Sequence, residues 1–92
     1  MKLYRLRLEE GVKEAIERLP GNIRQRVKRT LDDLRRNPKP ESATELRGEL
    51  RDRYRIRLGH WRIVYHVDDE IITVTVLKVG MKEGPEFYHD LD

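Results

Sequence analysis

Apolar and polar positions alternate from Lys2 to Leu8, with Tyr4, Leu6 and Leu8 on one side and Arg5 and Arg7 on the other. That is the period of a half-buried strand. The period then lengthens: Val12, Ile16 and Leu19 recur at helical spacing from about Glu10 until Pro20 and Gly21 interrupt them. A second helix is predicted from about Asn22 to Arg36, where Ile23, Val27, Leu31 and Leu34 make one apolar stripe. Asn37, Pro38 and Pro40 end it and open the only stretch that reads as a loop of any length. Three strands are predicted next, about Arg53 to Leu58, Trp61 to Val67 and Ile71 to Val79, each rich in β-branched or aromatic residues. The joins between them are short enough for hairpins. The predicted fold is α+β: an N-terminal strand, a helical hairpin and an antiparallel three-strand meander (βααβββ), with the helices packed on one face of the sheet. The 92 residues, with no repeat and no internal boundary, read as a single domain over 1–92.

The join "GH" sets a register. With Gly59 and His60 as the two residues of a type II′ turn, glycine supplies the positive φ of the first position. Leu58 then faces Trp61, Arg57 faces Arg62, Ile56 faces Ile63, Arg55 faces Val64, Tyr54 faces Tyr65 and Arg53 faces His66. One face of the hairpin becomes apolar and the other carries Arg53, Arg55, Arg57, Arg62 and His66. A one-residue slip would bury the arginines, so this pairing is strongly favoured. Continued alternation in the third strand puts Ile72, Val74 and Val76 on the core face and Ile71, Thr73, Thr75, Leu77 and Val79 beside the arginines. Lys78 then falls on core parity, a misfit that snorkelling at a strand end would resolve. The arginine face is partly apolar and calls for a cover, for which Phe87 and Tyr88 of the tail are available.

Charged residues make up 40% of the chain, yet the net charge is only +3, so distribution matters more than balance. Arg51, Arg53, Arg55, Arg57 and Arg62 fall within a dozen residues, and "EGPEFYHDLD" at the C-terminal end is acidic. The middle suits an anionic partner such as nucleic acid, and the tail does not. Arg57 directly across from Arg62 costs roughly a few tenths to 1 kcal/mol. Two readings explain such a pair. In one, guanidinium forks converge on a phosphate that offsets their repulsion. In the other, the face is simply solvated, with acids from the tail or the Glu45–Glu49 loop neutralising it. Arg24, Arg26, Lys28 and Arg29 form a second basic stripe on the predicted helix, fit to grip RNA or to face solvent.

Much chemistry is excluded. No cysteine means no disulfide framework and no thiolate metal site. No apolar run approaches a bilayer span, and "MKLYRLRLEE" is neither signal peptide nor anchor, so a cytoplasmic protein without a membrane partner is expected. There is no carboxylate-rich metal constellation and no phosphate-cradling glycine loop, and His60, His66 and His89 are scattered, so neither metal nor cofactor is expected. Arg, Lys and Tyr remain, and they suffice for metal-free RNA cleavage. That reaction needs a base for the ribose 2′-OH, cations for the charge on five-coordinate phosphorus and an acid for the leaving 5′-oxygen. A tyrosine beside several cations can serve as the base, but it can equally stack on a nucleobase or pack.

The run "ELRGELRDRYRIRLGHWRIVYHVDDEIITVTVLKVGMKEGPEFY", with the strand and helical hairpin before it, resembles the RelE/ParE superfamily of toxins from type II toxin-antitoxin pairs. The marks are "LRG", "YRIRLG", "WRIVY", "VLKVG" and an aromatic eight residues past that glycine. The resemblance is closer to the RelE branch, and it implies a metal-independent messenger RNA endonuclease acting in the ribosomal A site. It implies that Arg55 and Arg57 match the basic pair of the second strand and Arg62 the arginine of the "YR" motif. Lys82 stands where an arginine is common, and Tyr88 matches the tyrosine proposed as general base. Arginine holds its proton too firmly to shuttle it, so Arg55 and Arg57 fit charge stabilisation, with Lys82 as stabiliser or acid and Arg53 as a further RNA contact. The implied partners are a RelB-like antitoxin that blocks the site, the ribosome and messenger RNA. Two alternatives are a ParE-like toxin that inhibits gyrase by protein contact and a non-catalytic nucleic-acid binder.

Overall fold

β1 (Arg5–Leu8) leads into α1 (Val12–Glu17) and α2 (Gly21–Arg36), followed by β2 (Ala43–Glu45), β3 (Arg53–Leu58), β4 (Trp61–Asp68) and β5 (Thr73–Met81). The computed structural model describes residues 3–48 and 52–82. The strands form one sheet in the order β1-β5-β4-β3-β2, antiparallel except for β1, which runs parallel to β5. The predicted class and element order are met, with one addition. The connection after α2, read as loop, contains β2, which pairs with β3 through Ala43↔Ile56, Thr44↔Arg55 and Glu45↔Tyr54. Three residues are too few to show a period of two, so only the neighbouring strand reveals them.

Both helices cover one face of this sheet. Val12, Ile16 and Leu19 join Val27, Leu31 and Leu34 of α2 against Ile56, Ile63, Tyr65, Val67, Val74, Val76 and Val79. Each such aliphatic side chain contributes roughly 1.5–3 kcal/mol on full burial. Tyr65 is wholly buried and stacks on Tyr54, with ring centroids 5.7 Å apart. Its hydroxyl donates to the Pro38 carbonyl at 2.9 Å, so the proline-rich turn caps an otherwise orphaned polar group. Burial pushes that phenol's pKa well above its ordinary value. At the same end of the sheet, Asp69 accepts from the Tyr4 hydroxyl (2.7 Å) and from Lys39 Nζ (2.8 Å), tying together the approach to β1, the post-helix turn and the β4–β5 connection.

The β3–β4 hairpin has the predicted register throughout, from Arg53↔His66 to Leu58↔Trp61. Gly59 has φ +65°, and His60 is not among the positive-φ residues, the pattern expected for a type II′ turn.

The third strand departs from prediction. Tyr65 pairs with Val76 but Val64 pairs with Lys78, so Leu77 is an extra residue, a β-bulge. Beyond it every side chain changes face. Val79, expected beside the arginines, pairs with Ile63 and is buried in the core at 7% exposure. Lys78, expected on core parity, sits on the arginine face beside Val64 instead of snorkelling. The bulge avoids burying an ammonium group, which would cost several kcal/mol. Ile71, also expected beside the arginines, lies in the turn before β5 and is 63% exposed. The proposed cover, Phe87 and Tyr88, lies outside the described residues.

Candidate nucleic-acid interface

Strand pairing aligns side chains in rows across the face of the sheet opposite the helices. The first row is Arg57, Arg62 and Gly80; the second is Thr44, Arg55, Val64 and Lys78; the third is Arg53, His66, Thr75 and Arg7. Successive rows lie one same-face step apart, about 6.8 Å along a strand. Arg53, Arg55, Arg57 and Arg62, assigned to one face from the turn alone, are therefore brought together as predicted. The structure adds Lys78, which the bulge delivers, and Arg7, which the parallel pairing of β1 with β5 delivers. For Lys78 the sequence carries a signal, its misfit with core parity, which the bulge resolves. None marks Arg7, because the place of β1 in the sheet order depends on long-range packing.

Arg62 is the most confined of these cations, at 8% exposure. Its Nη1 donates to the Gly59 carbonyl at 2.6 Å and the Trp61 carbonyl at 3.0 Å, so the turn anchors one arm of the guanidinium. On one side it has Arg57, which is exposed, and on the other Gly80. Arg62 Nε and Arg55 Nε are both buried without a hydrogen-bond partner. A buried donor left unmade costs about 1–3 kcal/mol, more when charged. The two donors lie in adjacent rows of the arginine face. Among the described residues no carboxylate pairs with Arg53, Arg55, Arg57 or Arg62.

Lys82 follows the last strand. Its backbone N–H donates to the His60 carbonyl at 3.0 Å, which carries the chain past Gly80 to the turn that anchors Arg62. Tyr88 lies outside the described residues. The second basic stripe is not part of this surface: Arg24, Arg26, Lys28 and Arg29 belong to α2, in the layer on the other side of the sheet. There Lys28 Nζ meets Glu17 at 3.7 Å and Arg24 Nη1 donates to the Glu17 carbonyl at 3.4 Å. Among the described residues no group of His, Asp and Glu side chains is arranged to hold a metal ion, and no helix is long and apolar enough to cross a membrane.

Residues 4–83 match the family described as ParE toxin of type II toxin-antitoxin system, parDE. The chain is 34% identical over 89 residues to the mRNA interferase toxin RelE of Escherichia coli K12, covering 95% of this chain and 92% of the relative. Its fold is similar to the crystal structure of the isolated E. coli RelE toxin, with TM-score 0.76 and 32% identity over 96% of this chain and 94% of that one. It is equally similar to the toxin in the intact E. coli RelBE toxin-antitoxin complex, with TM-score 0.76 and 32% identity over 88% of this chain and 99% of that one. A family match over residues 4–83, with 34% identity to a RelE toxin and a RelE fold over nearly the whole length, places the chain in the RelE/ParE superfamily of type II toxins, on its RelE-like side.

Proposed function

We propose that this protein is the toxin of a type II toxin-antitoxin pair and acts as an mRNA interferase, cutting messenger RNA on the ribosome and so stopping translation. The observation that carries this reading is the cluster of Arg53, Arg55, Arg57 and Arg62 on one face of the sheet, with which no carboxylate pairs among the described residues and in which Arg55 Nε and Arg62 Nε are buried without a partner. A fold selected only for stability gains nothing from either. A phosphodiester laid over the rows would engage the guanidinium groups and relieve the Arg57–Arg62 repulsion.

Each arginine of the face then has a role in keeping with its position, and Lys82 and Tyr88 complete the set. Arg62, held by the turn carbonyls through one arm, offers the N–H groups of its other arm to a non-bridging phosphate oxygen. Arg57 approaches the same phosphate from the neighbouring strand. Together they stabilise the extra charge that develops on phosphorus as the 2′-oxygen attacks. Arg55 holds the adjoining phosphate and keeps the strand in line. Lys82, beside the turn, stabilises charge or protonates the leaving 5′-oxygen. Tyr88, by the family resemblance, takes the 2′-OH proton. The product is a 2′,3′-cyclic phosphate, and no metal is required. A RelB-like antitoxin is the natural inhibitor, since covering the arginine face would close the site.

Ribosomes programmed with a defined message test this. The wild-type chain should cut at the A-site codon, Arg62→Ala should slow the cut by about three orders of magnitude, as loss of a charge stabiliser does, and Tyr88→Phe should do likewise. The match to the ParE family favours a second reading, inhibition of gyrase by protein contact. Uncut message together with stalled DNA replication would establish that one instead.

A further inference from the structure

We infer that the third arginine row forms a second phosphate subsite, which holds single-stranded RNA two nucleotides away from the phosphate that is cut. The inference rests on the reading that an RNA phosphate sits at Arg57 and Arg62. Arg7, Glu9, Arg53, His66, Thr75 and Leu77 line an open cleft of about 230 Å³ on the same face of the sheet. Arg53 and Arg7 flank it from β3 and β1, three strand spacings or about 14 Å apart, and His66 and Thr75 lie between them in the same row. Among the described residues neither guanidinium has a hydrogen bond or an ion pair, so both forks are available to a ligand.

The spacing identifies the ligand. Rows one, two and three are separated by about 6.8 Å each along the strands, close to the distance between successive phosphates of an extended single strand. A polynucleotide following β3 from the Gly59 end thus meets Arg57 with Arg62, then Arg55 with Lys78, then Arg53 with Arg7, one phosphate per row. A duplex would not match this line, because its phosphates follow a helix and its partner strand would collide with the sheet. The cleft is smaller than a pocket for a drug-sized molecule, which suits a phosphate with its ribose. Leu77, the bulge residue, supplies an apolar surface for the sugar, and the Thr75 hydroxyl is a partner for a ribose 2′-OH. Glu9 is the opposing element. A carboxylate lining an anion site weakens it, which keeps the outlying grip below that of the cutting site.

The test uses the full chain and two oligoribonucleotides 2′-O-methylated throughout to prevent cutting: a dimer with one phosphodiester and a pentamer with four, titrated by fluorescence anisotropy. Wild-type protein should bind the pentamer more tightly than the dimer. Arg7→Ala should weaken the pentamer about tenfold, the effect of one charge-assisted phosphate contact, and leave the dimer unchanged, while Glu9→Gln should tighten the pentamer a few-fold. The slope of pentamer affinity against salt should fall by about one with Arg7→Ala. Equal effects on both lengths, or none on either, overturn the subsite, as does an Arg7→Ala variant that binds the pentamer normally and loses only an acidic protein partner. Cleavage of programmed ribosomes by the wild type is scored in parallel. A cut without the length-dependent effect removes the subsite and keeps the nuclease; the length-dependent effect without a cut does the reverse.

Discussion

Changing Arg57 to glutamate should raise the stability of the protein while abolishing its activity. Arg57 and Arg62 are direct cross-strand neighbours on the arginine face, and Arg57 has no described acidic partner. Like charges so placed cost a few tenths to about 1 kcal/mol, and an opposite-charge pair returns a similar amount. Arg57 is exposed, so solvent screening keeps the total near the lower end, about 1 kcal/mol for the reversal. For 92 residues the unfolding entropy is about 190 cal/mol/K, so 1 kcal/mol corresponds to a rise in melting temperature of about 5 °C. Thermal melts at low salt and at about 0.5 M salt are the assay, since added ions should shrink the gain. Arg57→Thr separates relief of repulsion from new attraction and should fall midway. In the ribosome assay Arg57→Glu should be inactive because it replaces a phosphate contact by a repelling carboxylate. If both variants melt below the wild type at low salt, the arginine pair is not a stability cost retained for function. If Arg57→Glu still cuts, Arg57 does not touch the phosphate.

Gly59→Ala should cost about 1–2 kcal/mol through its positive φ alone, because a Cβ there meets no neighbour within 4 Å; urea unfolding with an unchanged m-value would show it. Deleting Leu77 removes the bulge and turns Lys78 toward the core and Val79 out of it, so the chain should lose several kcal/mol or fail to fold, while Leu77→Ala should fold normally. Tyr65 keeps its proton in the folded state to a higher pH than in the unfolded chain, so its contribution is complete below about pH 10 and is lost as pH rises beyond that. Stability should therefore fall above pH 10 by up to about 1.4 kcal/mol per pH unit from this group; Tyr65→Phe should flatten that decline while costing about 1 kcal/mol at neutral pH through the lost bond to the Pro38 carbonyl.

What the sequence by itself determined is everything that depends on neighbours along the chain. A two-residue turn headed by glycine sets the pairing of the strands it joins, and a side-chain period of two then assigns each residue a face, so Arg53, Arg55, Arg57 and Arg62 could be placed together from "YRIRLGHWRIVY" alone. Helix α2 was legible for the same reason, its stripe of Ile23, Val27, Leu31 and Leu34 being a local repeat. The tertiary structure decided what no local period encodes. The extra residue at Leu77 breaks the alternation only because Val79 packs better than Lys78 against Ile63, an energy that exists only once β4 is beside β5. Arg7 joins the site because β1 pairs in parallel with β5, and β2 is a strand only because β3 offers it an edge. The donors at Arg55 Nε and Arg62 Nε lose contact with water only through burial, which is a property of the assembled sheet and not of any stretch of chain.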